Sequence, residues 1–291
     1  MAEGYGRNRG RPMTTQTKRQ GNTYALGHTP EEHARLRAQA RMWAAAAARL
    51  FAQAGLAPGA SCLDAGCGPG ETMRAMAERV GPAGRVLGID RDASLGALAV
   101  AMLHAEGHRQ CSFREHDLGR AEAVPGGPFD LVYARLLLFH LPQRVEALSR
   151  LWDAVAPGGH LIVQDYDFRG IGCTPDLASI GELARVFTGA FTAAGADVHI
   201  GIRLPELFRA AGVGTPDGTD VAGYLDSLPA GAAMVAQVFR SVLPVALAHG
   251  ITTEDDAAAT LAAVERDTAR YPGGQLMWPL LVSARKRKES A

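Results

Sequence analysis

The chain has 291 residues, is 47% hydrophobic and 21% charged, and sets 30 basic side chains against 30 acidic ones. This is the composition of an ordinary globular protein with core enough for one large domain or two small ones. A formal charge of zero removes the general electrostatic argument for a nucleic-acid partner, and no uninterrupted run of about 18 apolar residues signals a membrane span.

Residues 1–22 are rich in Gly, Arg, Thr and Gln without periodicity, which predicts a disordered basic arm. Lacking the apolar core of a secretory signal, it points to a cytoplasmic protein. The four cysteines, Cys62, Cys67, Cys111 and Cys173, have no CxxC spacing, so neither a metal site nor a disulfide framework is expected. Thr29 reads as an N-cap, with Pro30 at the first helical position and Glu31 and Glu32 at the positive helix end. The helix is predicted to run to about Ala54 and stop at Gly55, giving an N-terminal helical cap over residues 23–55.

From residue 56 onward, short apolar strands alternate with helices. The predicted strands are Ser61–Ala65, Arg85–Asp90, Cys111–His116, Phe129–Tyr133 and His160–Asp165; the helices between them are Glu71–Val80, Ala93–Glu106 and Arg144–Ala156. Strict alternation with short connections predicts a parallel sheet wound with helices on both faces. Ligands of such sheets bind beyond the carboxyl ends of the strands. Further helices are predicted at Asp176–Ala194, Leu204–Ala211, Gly231–Ala248 and Glu254–Arg270, a strand near Thr219–Tyr224, and a last apolar run over Gln275–Ser283. Residues 56–291 are thus one sheet domain, with helical lid insertions at about 168–200 and 229–271.

The chemistry gathers where the first strand meets Gly66, Cys67, Gly68, Pro69 and Gly70. Glycines there let the backbone turn sharply and let a ligand touch the main chain. Pro69 lacks an N–H, Glu71 puts a carboxylate in the first helical turn, and Asp64 adds another negative charge just before the loop. These features disfavour phosphate and suit a cation. Asp90 ends the second strand where an acid can accept from both ribose hydroxyls, or alternatively cap the next helix. Asp117, after the third strand, can accept an adenine amino group beside the backbone of Leu118, or again serve as a cap.

The segments LDAGCGPG (63–70), GID (88–90), HDL (116–118), FDLVYARLLLFHL (129–141) and APGGHLIVQD (156–165) resemble, in order and spacing, the successive motifs of class I S-adenosylmethionine (SAM)-dependent methyltransferases. The resemblance implies a doubly wound, mainly parallel, seven-stranded Rossmann-like sheet with helical lid insertions, and SAM as cofactor. It carries the methionine end of SAM to Asp64, Gly66, Cys67, Gly68 and Gly70, the ribose to Asp90 with Arg91, and the adenine to Asp117 and Leu118. Ala134 and Arg135 of the fourth motif, and Tyr24 of the leading segment, join the cofactor set. The segment Tyr24–His28 with Glu31 and Gln39 is similar to the cofactor-covering first helix of small-molecule and natural-product methyltransferases.

Methyl transfer is an in-line displacement, so alignment supplies much of the acceleration and a base is needed only where the acceptor must lose a proton. His140 is the candidate base, with a packing role as its alternative. Tyr166 and Asp167, after the fifth strand, are candidate substrate contacts, and Arg135 can fix an anionic acceptor or pair with a carboxylate. His199 can line the lid or stay at the surface. The expected partner is an apolar or aromatic small molecule rather than nucleic acid or membrane, and exchange of the first helix between copies offers a route to a homodimer. A non-catalytic SAM-binding protein, a nicotinamide-dependent oxidoreductase and a methyltransferase of RNA or protein are the rival readings.

Overall fold

The computed structural model describes the backbone of residues 30–290 and the side chains of residues 34–290. The basic arm, Tyr24 and the Thr29 cap fall outside the described residues. The first helix is two: α1 (Pro30–Met42) and α2 (Ala44–Gln53). They part at Trp43, whose indole is 2% exposed and donates from Nε1 to the Tyr166 hydroxyl at 2.7 Å. Ala46, Ala47, Leu50 and Phe51 make the buried face of α2, and Gly55, at φ +66°, turns the chain out of it.

Then follow β1 (Ser61–Ala65), α3 (Glu71–Val80), β2 (Arg85–Asp90), α4 (Ala93–Ala105), β3 (Cys111–Glu115), β4 (Phe129–Arg135), α5 (Arg144–Asp153) and β5 (Val155–Asp167). After them come β6 (Gly172–Thr174), α6 (Ala178–Ala193), α7 (Ile200–Ala210), β7 (Gly218–Ala222), β8 (Leu225–Ser227), α8 (Leu228–Ala248), α9 (Glu254–Arg270), β9 (Gln275–Met277) and β10 (Leu280–Arg287).

Among the described residues, one sheet has seven strands in the order β3-β2-β1-β4-β5-β10-β7. The pairs from β3 to β5 are parallel, while β10 runs antiparallel to both β5 and β7. Both faces are covered. Cys62 of β1 packs in one core cluster with Phe51, Met73, Met76 and Leu103, and Leu63 and Ala65 pack in the other with Leu148, Leu151, Leu204 and Phe208. The strand order reverses between β1 and β4, which opens a crevice at their carboxyl ends.

Tertiary pairing corrects three sequence boundaries. The fifth strand starts at Val155, inside the expected helix, because Val155 pairs with Phe129 across a bulge; it reaches Asp167 because Leu280 of β10 pairs there. The last apolar run is two strands broken at Trp278 and Pro279, each in a different sheet. The three-residue strands β6, β9 and β8 form a small sheet of their own. Segments so short carry no readable alternation.

The small sheet and α6, α8 and α9 stand together beyond the carboxyl ends of the main sheet. Helix α8 is long and apolar enough to cross a membrane, yet it turns Val235, Phe239, Val242 and Ala246 into the protein core and packs on α6 and α9. Helix α1 touches both α3 and α8.

Candidate functional site

The loop after β1 is held by its own donors. The N–H groups of Gly66 and Cys67 donate to Ile89 O at 2.8 and 3.0 Å, that of Gly68 to Asp90 Oδ2 at 3.0 Å, and that of Gly70 to Cys67 O at 3.0 Å. Pro69 has none to offer, so every loop donor is engaged within the protein and no nest remains for a phosphate. Gly68 sits at φ +47° with nothing within 4 Å of where a Cβ would stand. Its backbone face is open to the cavity. Gly70, at φ +79°, would bring a Cβ to 2.9 Å from the Cβ of Ala99.

Three acids follow the first three strands into this cavity. Asp64 is 2% exposed; it accepts a backbone hydrogen bond from Met73 at the start of α3, while its Oδ2 is buried without a partner. Burial, with the Asp90 charge adding to it against the opposing pull of Arg135, pushes its carboxyl up to about 7. Asp90 braces the glycine loop through Oδ2 and accepts from Asp92 N at 3.1 Å through Oδ1. Capping α4 is the work of Asp92, which accepts from Ser94 N and Leu95 N at 3.0 Å each. The Asp90 oxygens therefore each keep lone-pair capacity facing the cavity. Asp117 accepts from Gly119 N at 2.9 Å, and Leu118, 5% exposed, lies beside it.

Helix α1 closes this end. Arg35, Leu36, Gln39, Ala40 and Trp43 recur at helical spacing and line the cavity. The helix is tied down by Glu71, whose carboxylate meets Arg37 at 2.8 Å, Arg41 at 3.4 Å and Arg74 at 3.4 Å. At its far end Gln39 Nε2 donates to the Tyr166 hydroxyl at 2.9 Å, beside the bond from Trp43.

The loop after β4 forms another wall. Arg135 donates from Nη2 to Thr72 Oγ1 at 3.0 Å, and Leu136 holds φ +53°, a strained conformation for a residue with a branched side chain. A 3₁₀ turn at Leu138–His140 follows, pinned by Asp165 Oδ2, which accepts from Leu138 N at 3.1 Å. Fully buried, the Asp165 carboxyl is pushed up to about 8. His140 stacks on Phe139 with ring centroids 3.6 Å apart and meets Phe191 at 6.1 Å. Burial, and then the charge of Arg91, push its imidazole down to about 3, so it stands neutral.

The rest of the cavity is aromatic. Phe168 contacts Tyr166, Phe187, Phe191 and Phe139 at centroid distances of 5.5, 5.7, 6.0 and 6.3 Å. Val235 and Val238 of α8 and the segment Leu276–Pro279 complete this wall.

A family model described as a methyltransferase domain matches residues 62–159. That part of the chain is similar to a methyltransferase domain. The chain is 37% identical over 107 residues to the trans-aconitate 2-methyltransferase of Deinococcus radiodurans, covering 37% of this chain and 38% of that enzyme. It is 31% identical over 117 residues to the demethylmenaquinone methyltransferase of Lactococcus lactis, covering 40% and 45%. The chain thus spans about two fifths of the length of these curated relatives. Among solved structures, a "putative methyltransferase" of Bacillus halodurans superposes with a TM-score of 0.57 at 15% identity, over 84% of this chain and 99% of that one. The YcgJ protein of Bacillus subtilis does so with 0.54 at 14%, over 84% and 98%. Both likenesses extend the shared fold beyond the matched segment.

The residues lining the cavity fit SAM, the cofactor that the resemblance implies. The orphaned Asp64 oxygen offers a buried acceptor to an ammonium group, Gly68 leaves a bare backbone face, and Asp90 and Asp117 stand at successive strand ends. Of the residues expected there, Asp64, Gly66, Cys67, Gly68, Asp90, Arg91, Asp117, Leu118 and Arg135 all line the cavity. Cys67 does so beside a thiol packed against the β2–α3 contact, where Gly88 would bring a Cβ to 2.8 Å from its Sγ. Gly70 serves from behind, through the turn. Ala134 is fully buried in the core and does not line the cavity, since the alternation of β4 turns it inward. Tyr24 lies outside the described residues. His140 and Tyr166 line the cavity, but Asp167 does not. Its carboxylate is tied by Arg169, to which it is doubly bonded, and by His199 Nδ1 at 3.3 Å; the Arg169 contact holds it below the usual carboxylate range. His199 itself is exposed, at the surface end of that contact.

Sequence reasoning missed Arg35, Trp43, Thr72 and Asp165; it read Phe187, Phe191, Phe239 and Trp278 mainly as core with an apolar-pocket wall as the alternative, and Phe187, Phe191 and Trp278 line the cavity. The detectable signal was an acid closing an otherwise apolar strand at Asp165; the others look like ordinary helix or core residues.

Proposed function

We propose that this protein transfers the methyl group of SAM to a small, largely apolar acceptor. The observation that carries the reading is a single continuous cavity. One end is lined by the glycine loop, Asp64, Asp90 and Asp117, and the other by Phe139, Phe168, Phe187 and Phe191. SAM supplies a methyl group activated by its sulfonium; the chain's own residues bind, orient and exclude water. Asp64 holds the amino group, Asp90 the ribose hydroxyls, and the Asp117–Leu118 turn the adenine. α1, α6 and α8 act as the lid that keeps the transfer dry.

His140 contributes as a neutral imidazole beside the reacting region. A base so weakened by burial takes a proton only in passing, so alignment carries more of the rate than base assistance. The acceptor named for the trans-aconitate enzymes is not carried over to this chain, whose cavity is walled by phenylalanines. The engaged loop donors speak against a nicotinamide dinucleotide, whose pyrophosphate needs free N–H groups at this turn.

The test is calorimetric titration of SAM and NADH into the wild type and Asp90→Ala. We expect SAM to bind and to weaken by about tenfold or more in the variant, as loss of a charge-assisted hydrogen bond predicts. Absence of SAM binding, or preference for NADH, overturns the reading.

A further inference from the structure

The link between β9 and β10 carries a lone donor in the wall of the cavity. Trp278 is 4% exposed, is among the residues lining that cavity, and its indole Nε1 is buried with no hydrogen-bond partner among the described residues. Its position is fixed from both sides. Its backbone N–H donates to Tyr224 O at 3.0 Å, Pro279 follows, and two residues on Leu280 pairs with Asp167 at the end of β5. An indole N–H normally finds a partner when buried, because leaving it bare costs free energy that a phenyl ring in its place avoids. An unpartnered donor held on a rigid link in a ligand cavity is matched when a ligand brings an acceptor.

Another polar group lining the cavity has the same polarity. The Tyr166 hydroxyl accepts from Gln39 and from Trp43, so both lone pairs of its oxygen are taken and its own proton is left to donate. Burial holds the phenol above its ordinary range, which keeps that proton in place. The same cavity is lined by Phe168, Phe187 and Phe191, whose rings meet one another edge-on or tilted, and aromatic rings pack favourably with a further ring.

We propose that Trp278 is a specificity-determining residue: its Nε1–H binds an oxygen of the methyl acceptor, which is therefore a ring-bearing, mostly apolar molecule carrying a carbonyl, ether or hydroxyl oxygen. The proposal rests on the methyltransferase reading and narrows its acceptor. The oxygen bound by Trp278 orients the ring, and the group to be methylated is presented toward the cofactor end.

The test uses two ring compounds of nearly the same shape, 1-tetralone and tetralin, titrated into the full chain saturated with S-adenosylhomocysteine. SAM is titrated separately. The wild type is expected to prefer the ketone by about tenfold, the worth of one buried hydrogen bond and its unpaired penalty. Trp278→Phe, which keeps a ring and removes the N–H, should bring that ratio close to one, with the loss falling on the ketone rather than on SAM. A preference that survives in the variant, no preference in the wild type, or no binding of either compound overturns the proposal. A tenfold loss of SAM affinity in Trp278→Phe overturns it too, by assigning the donor to the cofactor. Failure of the wild type to bind SAM sinks the methyltransferase reading and this proposal with it.

Discussion

The two ends of the cavity are built by different means. At the cofactor end the work is done by backbone: glycines at positive φ, loop N–H groups engaged with Ile89 and Asp90, and acids at consecutive strand ends. At the acceptor end it is done by side chains from segments far apart, among them Gln39 and Trp43 meeting Tyr166 and the phenylalanines of α6. At Gly66 and Gly70 an added Cβ would meet Leu137 at 3.0 Å and Ala99 at 2.9 Å. Side-chain sites can change their lining while the frame stays, which suits one end to a fixed cofactor and the other to a variable acceptor.

The largest expected effect breaks this comparison at its sharpest point. Gly70→Val forces a β-branched residue into positive φ and drives its Cβ against Ala99, so we expect a destabilisation of roughly 2–5 kcal/mol and loss of SAM binding. At the acceptor end Gly181, exposed in α6, has nothing within 4 Å of a Cβ. Gly181→Ala should stabilise by up to about 1 kcal/mol. Denaturant titration of both variants reads the contrast, and equal effects would erase it.

A smaller effect concerns charge. Asp64 holds its proton to about pH 7 in the free protein, while a cationic ligand favours the carboxylate. SAM affinity should therefore rise by roughly tenfold between pH 6 and pH 8, and Asp64→Asn should bind weakly with a flat profile. The sign for stability is opposite. A raised carboxyl pKa favours folding while the proton is held, so this contribution is present below about pH 4 and is lost as pH rises through 7. A SAM profile that falls with pH would show that Asp64 does not face the cation.

The smallest effect tests the join between the two ends. Arg37 and Glu71 fasten α1 over the cofactor loop, and the Arg37 side chain is partly exposed. Arg37→Ala should cost about 1 kcal/mol or less in global stability. It should nonetheless speed SAM release several-fold in stopped-flow measurements, because α1 must lift for the ligand to leave. An unchanged release rate would mean that α1 is not a gate.

What could be read from the sequence follows the same division. The strands Ser61–Ala65 and Arg85–Asp90 and the helices Glu71–Val80 and Glu254–Arg270 stand at the predicted boundaries. Their limits are set locally, by glycines, caps and apolar period. The glycine loop, Asp64, Asp90 and Asp117, which the structure brings to one cavity, could be singled out because those residue types recur at successive strand ends.

Tertiary structure alone decided the rest. It broke the first helix at Trp43, because that indole reaches the Tyr166 hydroxyl 123 positions away. Pairing with β10 lengthened β5, and Arg169 and His199 drew Asp167 out of the cavity. It set Trp278 in the wall of the cavity with its indole donor unpartnered among the described residues. A side chain's chemistry is written at its own position, but the polarity it meets is set by neighbours brought from elsewhere in the chain, and no local period records them.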